Sequence, residues 1–323
     1  MLNHGVFAYG SGRSGTTLLA KLIDSSRQIL YRHEPDKTAP SGDIPFLPEP
    51  DQYEEFISLS REYLAQLFSD RSLFVNGKKP FFDKAFRTPL SQLVLRLIHP
   101  VLTIADKAGI PVSVPDLIRD KHFTILVKSV NSLGRVPMFS LAAPGIKFIH
   151  IVRHPGAIIA SQLRGIEQNK MGRELFLSSV SKMSNARHFS IDVDAVSQAS
   201  YEEKSAYIWM IQNDKSYREM KESDNYRLIS YEDLCLNMKE RVESICDFIG
   251  IEFDSQMQSF IDTLTNTSSD SGYFSVMKNP LDNIDKWEST LESTVIEKIH
   301  GIIEQSEIGR FTMDNYNLVK SRI

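Results

Sequence analysis

The stretch G-S-G-R-S-G-T-T-L-L, from Gly10 to Leu19, decides the fold of this chain. It follows a short apolar run, Val6–Tyr9, that is typical of a buried strand. It leads into an apolar-periodic segment that predicts a helix over residues 15–25. A strand, a glycine-rich turn and a helix N-terminus together form an anion site, because unpaired backbone N–H groups and the helix dipole converge there.

The loop differs from the phosphate loop of nucleotide triphosphatases at one decisive position. That loop has the pattern G-x-x-x-x-G-K-[ST], in which the lysine reaches the terminal phosphates. Gly10 and Gly15 fit the pattern, but Thr16 stands where the lysine belongs. The loop therefore predicts an anion that is bound by amides, hydroxyls and the cation of Arg13, without a lysine.

Composition favours a soluble enzyme over a nucleic-acid binder. The chain has 323 residues, 41% of them hydrophobic, and a net charge of −4, which gives no global basic surface. Cys235 and Cys246 fall in one predicted helix about three turns apart, too far to bridge, and we expect buried thiols in a reducing compartment. With no signal peptide and no apolar run of about 20 residues, we expect a cytoplasmic protein without membrane contact.

Short apolar runs alternate with helical patterns along the chain. The alternation predicts an α/β fold in three layers, α/β/α, with a central parallel sheet and a phosphate-binding loop. We expect one domain over 1–323, with inserted segments at about 36–115 and 165–200 that cover the substrate. The predicted strands span 6–9, 29–31, 123–127, 147–152 and 227–230, and the predicted helices span 15–25, 52–68, 90–108, 156–164, 201–222, 234–250 and 291–305.

A second motif lies in F-I-H-I-V-R-H-P-G-A-I-I-A-S, Phe148 to Ser161. A predicted strand ends near Arg153, Pro155 suits the first turn of a helix, and Ser161 lies two turns into it. An arginine at the carboxyl end of a strand points into the crevice where open α/β sheets bind ligands. The motif therefore predicts a second anion contact from Arg153 and Ser161.

The pair R-S-G-T-T and R-x-x-x-x-x-x-x-S resembles the sulfotransferases that use 3′-phosphoadenosine 5′-phosphosulfate. Three further segments are similar to elements of that family: His33-Glu34-Pro35, Tyr231-Glu232-Asp233-Leu234 and Asp285-Lys286-Trp287. The motif pattern is most similar to the tyrosyl-protein and carbohydrate branches, although we expect a soluble, microbial-type enzyme.

The resemblance implies a set of donor-binding residues. The first motif would hold the 5′-phosphosulfate, and the second motif with the lysine of the K-W element would hold the 3′-phosphate, close to Tyr231. Ser271 and Ser275 are alternatives for a serine near the 3′-phosphate. The implied donor-binding residues are Arg13, Ser14, Gly15, Thr16, Thr17, Arg153, Ser161, Tyr231, Ser271, Ser275 and Lys286.

The resemblance also implies catalytic residues. Glu34 corresponds to the base glutamate of the tyrosyl-protein branch, and we expect burial to raise its pKa while Arg13 opposes the rise. Arg13 would stabilise the leaving phosphate, and Lys128 would face the sulfuryl group. Val130 occupies the place of the cytosolic branch's histidine, so His33 is the alternative base. Glu34 could instead be a structural partner of a neighbouring arginine such as Arg32.

The predicted function is sulfuryl transfer from 3′-phosphoadenosine 5′-phosphosulfate to a hydroxyl or amino group of a small metabolite, in secondary metabolism. The eight histidines show no metal-ligand spacing, so no metal is expected. Two alternatives remain open: a P-loop kinase, which would place a lysine at position 16, and a non-catalytic nucleotide-binding module on the same fold. The oligomeric state and the acceptor are left open.

Overall fold

Parallel strands form the centre of the protein. The computed structural model describes residues 4–39, 41–172, 175, 182, 187–266, 280–281 and 284–323. Within these residues five strands form one sheet in the order β2-β3-β1-β4-β5, with every neighbouring pair parallel. The strands are β1 Gly5–Tyr9, β2 Ile29–His33, β3 Thr124–Ser129, β4 Ile146–Val152 and β5 Tyr226–Ser230.

Helices connect and flank the strands. The longer helices of the described residues are α1 Thr16–Asp24, α3 Tyr53–Ser69, α5 Pro89–Lys107, α7 Pro155–Glu167, α9 Tyr201–Met220, α11 Met238–Ile249, α12 Ser255–Asn266, α13 Ser293–Ile303 and α14 Glu307–Lys320. The shorter helices are α2 Pro35–Thr38, α4 Leu73–Asn76, α6 Val136–Ala142, α8 Val193–Gln198 and α10 Tyr231–Leu236. Single 3₁₀ turns lie at Pro50–Gln52 and Leu133–Arg135.

The central strand β1 shows why the sheet is covered on both faces. All of its residues are buried, and successive side chains of a strand point to opposite faces. Val6 and Ala8 pack into the larger apolar cluster, which includes residues of α1, α7 and α10–α14. Phe7 and Tyr9 pack into the smaller cluster, with α3 and α6. The three-layer α/β/α prediction is therefore confirmed.

Each predicted helix overlaps an observed helix, but one of them is wrong in extent, and the longer helices α12 and α14 were not predicted. Each predicted strand overlaps an observed one, and Gly250 ends α11 in the left-handed conformation expected of a helix terminus, with φ 72°. The single helix predicted over 234–250 is wrong, because the chain breaks between α10 and α11 at Asn237, whose φ of −117° is not helical. Cys235 and Cys246 thus lie in different helices, both buried as free thiols.

The segment between α3 and β3 is fastened to the sheet by a buried arginine. Arg32 on β2 is 1% exposed, and its Nη2 lies 2.8 Å from Oδ2 of Asp116. The same guanidinium donates to Asn76 Oδ1 at 2.6 Å and to the Phe68 carbonyl at 3.3 Å. A buried charge is tolerated when it is paired and hydrogen-bonded. The ion pair therefore fixes α4 and the region before β3 against the edge strand β2.

Helix α5 lies in this segment between α3 and β3 and leaves an apolar face exposed. Leu90, Leu97, Val101 and Ile104 are each more than 60% exposed. In the part of the chain that the structure describes, no helix is long and apolar enough to cross a membrane.

The Arg32–Asp116 pair gives a test of this packing. The Asp116→Asn substitution keeps the shape but leaves the Arg32 guanidinium without its buried counter-charge. We expect the free energy of unfolding to fall by about 3–5 kcal/mol, measured by urea denaturation. The matched control is Asp120→Asn, because Asp120 is an exposed carboxylate whose partner, His122, is also exposed. Equal midpoints for the two variants would contradict a structural role for the buried pair.

Candidate functional site

A cleft opens at the carboxyl ends of the parallel strands, where open α/β sheets bind ligands. Its volume is about 650 Å³. The loop after β1, the ends of β2 and β3, helix α7 and the start of α10 line it. The two sequence motifs therefore meet at one cavity, as the sequence predicts.

The loop after β1 is held in an unusual backbone conformation. Arg13 and Gly15 both have positive φ, 72° and 93°. Gly15 is the N-cap of α1 and no side chain caps this helix, so its first N–H groups face the cleft without a side-chain acceptor. A Cβ added at Gly15 would lie 2.2 Å from Cδ2 of Tyr231. Glycine is required here by the positive φ and by the tyrosine ring that packs on it.

The two arginines of the motifs lie together beside this loop. The Arg13 Nε donates to Ser161 Oγ on α7 at 3.0 Å. The Arg153 Nη1 approaches the carbonyl of Arg13 at 3.4 Å, and its guanidinium lies 4.3 Å from the centroid of the Tyr231 ring. Residues 148 positions apart in the chain are thus joined by direct contacts. Two guanidinium groups, a hydroxyl and a helix N-terminus therefore lie side by side in this part of the cleft, and all of them can bind anions.

A buried layer behind Arg153 sets the direction of α7. Glu232 accepts from the backbone N–H of His154 at 2.9 Å and from Ser230 Oγ at 3.0 Å. The His154 ring stacks on Trp287, with ring centroids 4.4 Å apart. Trp287 also packs on Gly156, where an added Cβ would lie 2.3 Å from the indole. The glutamate of Y-E-D-L and the tryptophan of the K-W element therefore position the second motif, while the exposed Lys286 lines the cleft.

Glu34 and Lys128 form an ion pair at the other end of the cleft. Glu34 follows β2 in the left-handed conformation, with φ 47°, and its backbone N–H donates to the carbonyl of Lys128 at 2.8 Å. The Lys128 ammonium donates to Glu34 Oε1. The Lys128 side chain is 2% exposed and that of Glu34 is 15% exposed. The pairing follows from the register of β2 and β3, which sets His33 opposite Lys128.

The pair sets the charge of both groups. Burial raises the pKa of Glu34, but the charge and hydrogen bond of Lys128, with smaller contributions from His33 and Lys37, together hold the pKa below its ordinary value of 4.5. The expectation of a raised pKa is wrong, and the opposing cation is Lys128 rather than Arg13. Burial lowers the pKa of Lys128 below 10.5, and the Glu34 carboxylate opposes that fall. Near neutral pH the Glu34 carboxylate is therefore ionised, and it is hydrogen-bonded to Lys128.

His33 and Arg32 are the alternatives that surround Glu34. His33 lines the cleft, and its Nδ1 lies 2.8 Å from the Tyr31 hydroxyl. Burial, with Lys128 adding to it, lowers the pKa of His33 to about 3. The imidazole is therefore neutral and a weak base near pH 7. Arg32 pairs with Asp116, whereas Glu34 pairs with Lys128. The interpretation of Glu34 as a structural partner of Arg32 is therefore wrong.

The described lining of the cleft is strongly cationic. On the side of β1, β4 and α7 the cations are Arg13, Arg153, Arg164, Lys170 and Lys286. On the side of β2 and β3 the cations are Lys37, Lys78 and Lys128. Glu34 is the one carboxylate among these described lining residues. Such a surface favours polyanionic ligands.

The structure brings most predicted site residues together and adds others. The predicted residues that line the cleft are Arg13, Gly15, Thr16, Thr17, Glu34, Lys128, Arg153, Ser161, Tyr231 and Lys286. Ser14 is instead fully buried beneath the loop. Ser271 and Ser275 lie outside the described residues. The cleft also contains Lys37, Phe74 and Lys78, which the sequence analysis did not predict. For Lys78, the adjacent lysines of G-K-K-P were the one signal in the sequence. Among the described residues no group of three or more His, Cys, Asp or Glu side chains could hold a metal ion.

Comparisons with known proteins identify relatives along nearly the whole chain. The family model described as "Sulfotransferase family" matches residues 5–255. The chain is 20% identical over 319 residues to carbohydrate sulfotransferase 1 of Rattus norvegicus, covering 90% of this chain and 75% of that protein.

Solved structures of sulfotransferases are also similar to this chain. The sulfotransferase domain from the Synechococcus PCC 7002 olefin synthase is 19% identical, with 93% of each chain covered and a TM-score of 0.47. Mouse sulfotransferase SULT7A1, complexed with PAP, is 12% identical, with 97% of this chain and 89% of that chain covered and a TM-score of 0.44.

The Glu34–Lys128 pair predicts a coupling that depends on pH. A double-mutant cycle of Glu34→Gln and Lys128→Met, followed by urea denaturation, should give a coupling of about 1–3 kcal/mol at pH 7. Because the folded-state pKa of Glu34 is lowered, its stabilisation is present above the ordinary value and is lost as pH falls through the folded value. The coupling should therefore shrink below pH 4.5.

An exposed pair on α11 provides the control for this cycle. Lys239 and Glu243 are 3.9 Å apart, with side chains 55% and 44% exposed. Their coupling should be at most about 0.5 kcal/mol. A Glu34–Lys128 coupling no larger than this, or one unchanged down to pH 3, would contradict the buried ion pair.

Proposed function

Because the chain belongs to the sulfotransferase family, we propose that it transfers a sulfuryl group from 3′-phosphoadenosine 5′-phosphosulfate to a hydroxyl or amino group of a small-molecule metabolite. The observation that carries this proposal is the contact between the two motifs. Arg13 meets Ser161, and Arg153 meets the Arg13 backbone, beside the open N-terminus of α1. A donor with phosphates at both ends needs two such anion contacts in one cleft.

We propose that each motif binds one end of the donor. The amides of the loop after β1, with Thr16 and Thr17, hold the 5′-phosphate at the helix N-terminus. Arg153, Ser161 and Lys286 hold the 3′-phosphate, and Tyr231 fixes the plane of the Arg153 guanidinium by stacking. Ser271 or Ser275 remains a candidate for a further contact. The sulfuryl end then faces Glu34 and Lys128, because the sheet order places β2 and β3 on that side of β1.

The proposed reaction is an in-line displacement at sulfur. The acceptor oxygen or nitrogen forms its bond to sulfur while the bond from sulfur to the bridging oxygen breaks. Arg13 stabilises the charge that develops on the leaving phosphate. Glu34 is ionised near neutral pH and takes the acceptor proton, and Lys128 stabilises the oxygens of the transferred group. The acceptor would enter beside the inserted segment at about 36–115, which supplies Lys37, Phe74 and Lys78.

Two alternative functions are less consistent with this cleft. A P-loop kinase needs a lysine at the position of Thr16 and a carboxylate that holds magnesium, and the one carboxylate of the described lining is paired with Lys128. A non-catalytic nucleotide-binding module on the same fold needs no base beside the donor. The buried pair of Glu34 and Lys128 favours catalysis over that module.

The 3′-phosphate assignment predicts a loss of donor affinity. Arg153→Ala removes a charge-assisted contact worth about 1.5–3 kcal/mol. We expect the affinity for 3′-phosphoadenosine 5′-phosphate, measured by calorimetry, to fall at least about tenfold. Arg27→Ala is the matched control, since Arg27 is exposed beyond the opposite end of α1. Unchanged affinity in Arg153→Ala would refute the assignment.

The base assignment predicts a loss of turnover with donor binding retained. Glu34→Gln removes the proton acceptor, so kcat should fall by about 10²–10⁴-fold. The affinity for 3′-phosphoadenosine 5′-phosphate should stay within about threefold, because the 5′- and 3′-phosphate contacts lie elsewhere. A variant with the wild-type rate would show that Glu34 is structural, and His33→Gln would then be the next variant to measure.

A further inference from the structure

The cleft holds more positive charge than the donor needs, and the excess lies on the side of β2 and β3. The donor carries about four negative charges, two on its 3′-phosphate and two on its phosphosulfate. The five described cations beside β1, β4 and α7 are enough to balance them. On the other side of β1 three lysines face one carboxylate, and because Glu34 neutralises Lys128, the charges of Lys37 and Lys78 remain.

Lys37 and Lys78 come from separate segments that the fold holds at the same wall. Lys37 lies on α2, the short helix that directly follows Glu34. Its ammonium is 5.4 Å from the centroid of the Phe74 ring. Both lysines line the cleft, and of the ion pairs in the described part of the chain none includes either of them.

The backbone around Lys78 is fixed from the donor side. Lys21 on α1 is 1% exposed, and its ammonium donates to the carbonyl of Lys78 at 2.7 Å and to that of Pro80 at 3.1 Å. The same ammonium is 2.8 Å from Asp24 Oδ2. Since α1 begins at the phosphate-binding loop, the segment with Lys78 is anchored to the element that holds the donor. Lys78 is half-buried, in contrast to its exposed neighbour Lys79.

An aromatic surface adjoins the two lysines. Phe74 is 39% exposed and lines the cleft, and its ring lies 5.6 Å from the ring of His33. His33 adds no positive charge near neutral pH because burial lowers its pKa to about 3. This wall therefore combines an apolar platform with two cations, which fits a molecule that has an apolar body and an anionic end.

We infer that the acceptor carries its own anionic group, a carboxylate or a phosphate, which Lys37 and Lys78 bind while its hydroxyl or amino group faces Glu34. This inference rests on the proposed sulfuryl transfer and deepens it by naming the class of acceptor. A neutral acceptor would leave the half-buried Lys78 and the exposed Lys37 without a bound counter-charge at this wall.

The test compares three phenols that share a ring and differ in the group at the far end. These probes are 4-hydroxyphenylacetate, 4-hydroxybenzylphosphonate and the neutral 4-hydroxyphenylacetamide. Calorimetry first measures the binding of 3′-phosphoadenosine 5′-phosphate to the full chain, and then the binding of each probe to that complex. We expect at least one anionic probe to bind about tenfold or more tightly than the amide. The stronger anion distinguishes a carboxylate from a phosphate acceptor.

Variants assign the preference to a residue. Lys78→Met should reduce the advantage of the anionic probe to about threefold or less, while the affinity for 3′-phosphoadenosine 5′-phosphate is unchanged. Lys78→Arg should retain the advantage, and so should the control Lys79→Met, since Lys79 is exposed and does not line the cleft.

The outcomes separate this inference from the proposed function. Failure to bind 3′-phosphoadenosine 5′-phosphate would refute the proposed donor and with it the inference. Normal binding of that nucleotide, with equal binding of the three probes or binding of none, would overturn the inference alone. A Lys78→Met variant that keeps the anion preference but loses turnover would also overturn it, because Lys78 would then act on the sulfuryl group.

Discussion

The packing of the Tyr231 ring on Gly15 is the contact on which the site depends. Gly15 turns the chain from β1 into α1 with a positive φ and leaves no room for a Cβ. Tyr231 begins the helix after β5, two strands away in the sheet, and its ring also carries the Arg153 guanidinium. One aromatic side chain thus sets the distance between the phosphate loop, the second motif and the last strand. The two motifs of the cleft are therefore aligned by this packing as well as by their direct contacts.

The Glu34–Lys128 pair shows how the parallel sheet brings side chains of neighbouring strands together in the cleft. The two residues are 94 positions apart, so the local sequence of neither one predicts the ion pair. The register of β2 and β3 brings them together, and both side chains are largely buried. A carboxylate held ionised by a buried ammonium is available to accept a proton without first losing one. In the proposed reaction, the strength of the contact with Lys128 determines how readily Glu34 turns to the acceptor.

Much of this fold could be predicted from the sequence because its strands are short apolar runs and its motifs are local. Gly10–Thr17 and Arg153–Ser161 each carry their geometry within a few residues, so their place in the cleft followed from chain order and from the rule for parallel sheets. Four-residue helices such as α2 and α4 were missed because they are too short to show periodicity, and the longer α12 and α14 were also missed. The break at Asn237 was missed because the apolar pattern continues through it.

Other features of the site could not be predicted, because they depend on contacts between distant segments. The lowered pKa of Glu34 requires Lys128, 94 residues away. The role of Arg32 requires Asp116, which no local pattern connects to it. Lys78 enters the cleft because a buried lysine on α1 binds the carbonyl groups of its segment. Side chains whose position is set by another side chain leave no trace in composition or periodicity.

The anchoring of that segment by Lys21 has an evolutionary consequence. The anchor binds main-chain carbonyl groups, which every amino acid supplies, so it does not constrain the side chain at position 78. The Arg13, Arg153 and Tyr231 contacts involve none of these residues. If the proposed roles hold, substitution at position 78 could change the acceptor while the contacts proposed to bind the donor stay intact. Directed evolution of acceptor specificity would start from the same position.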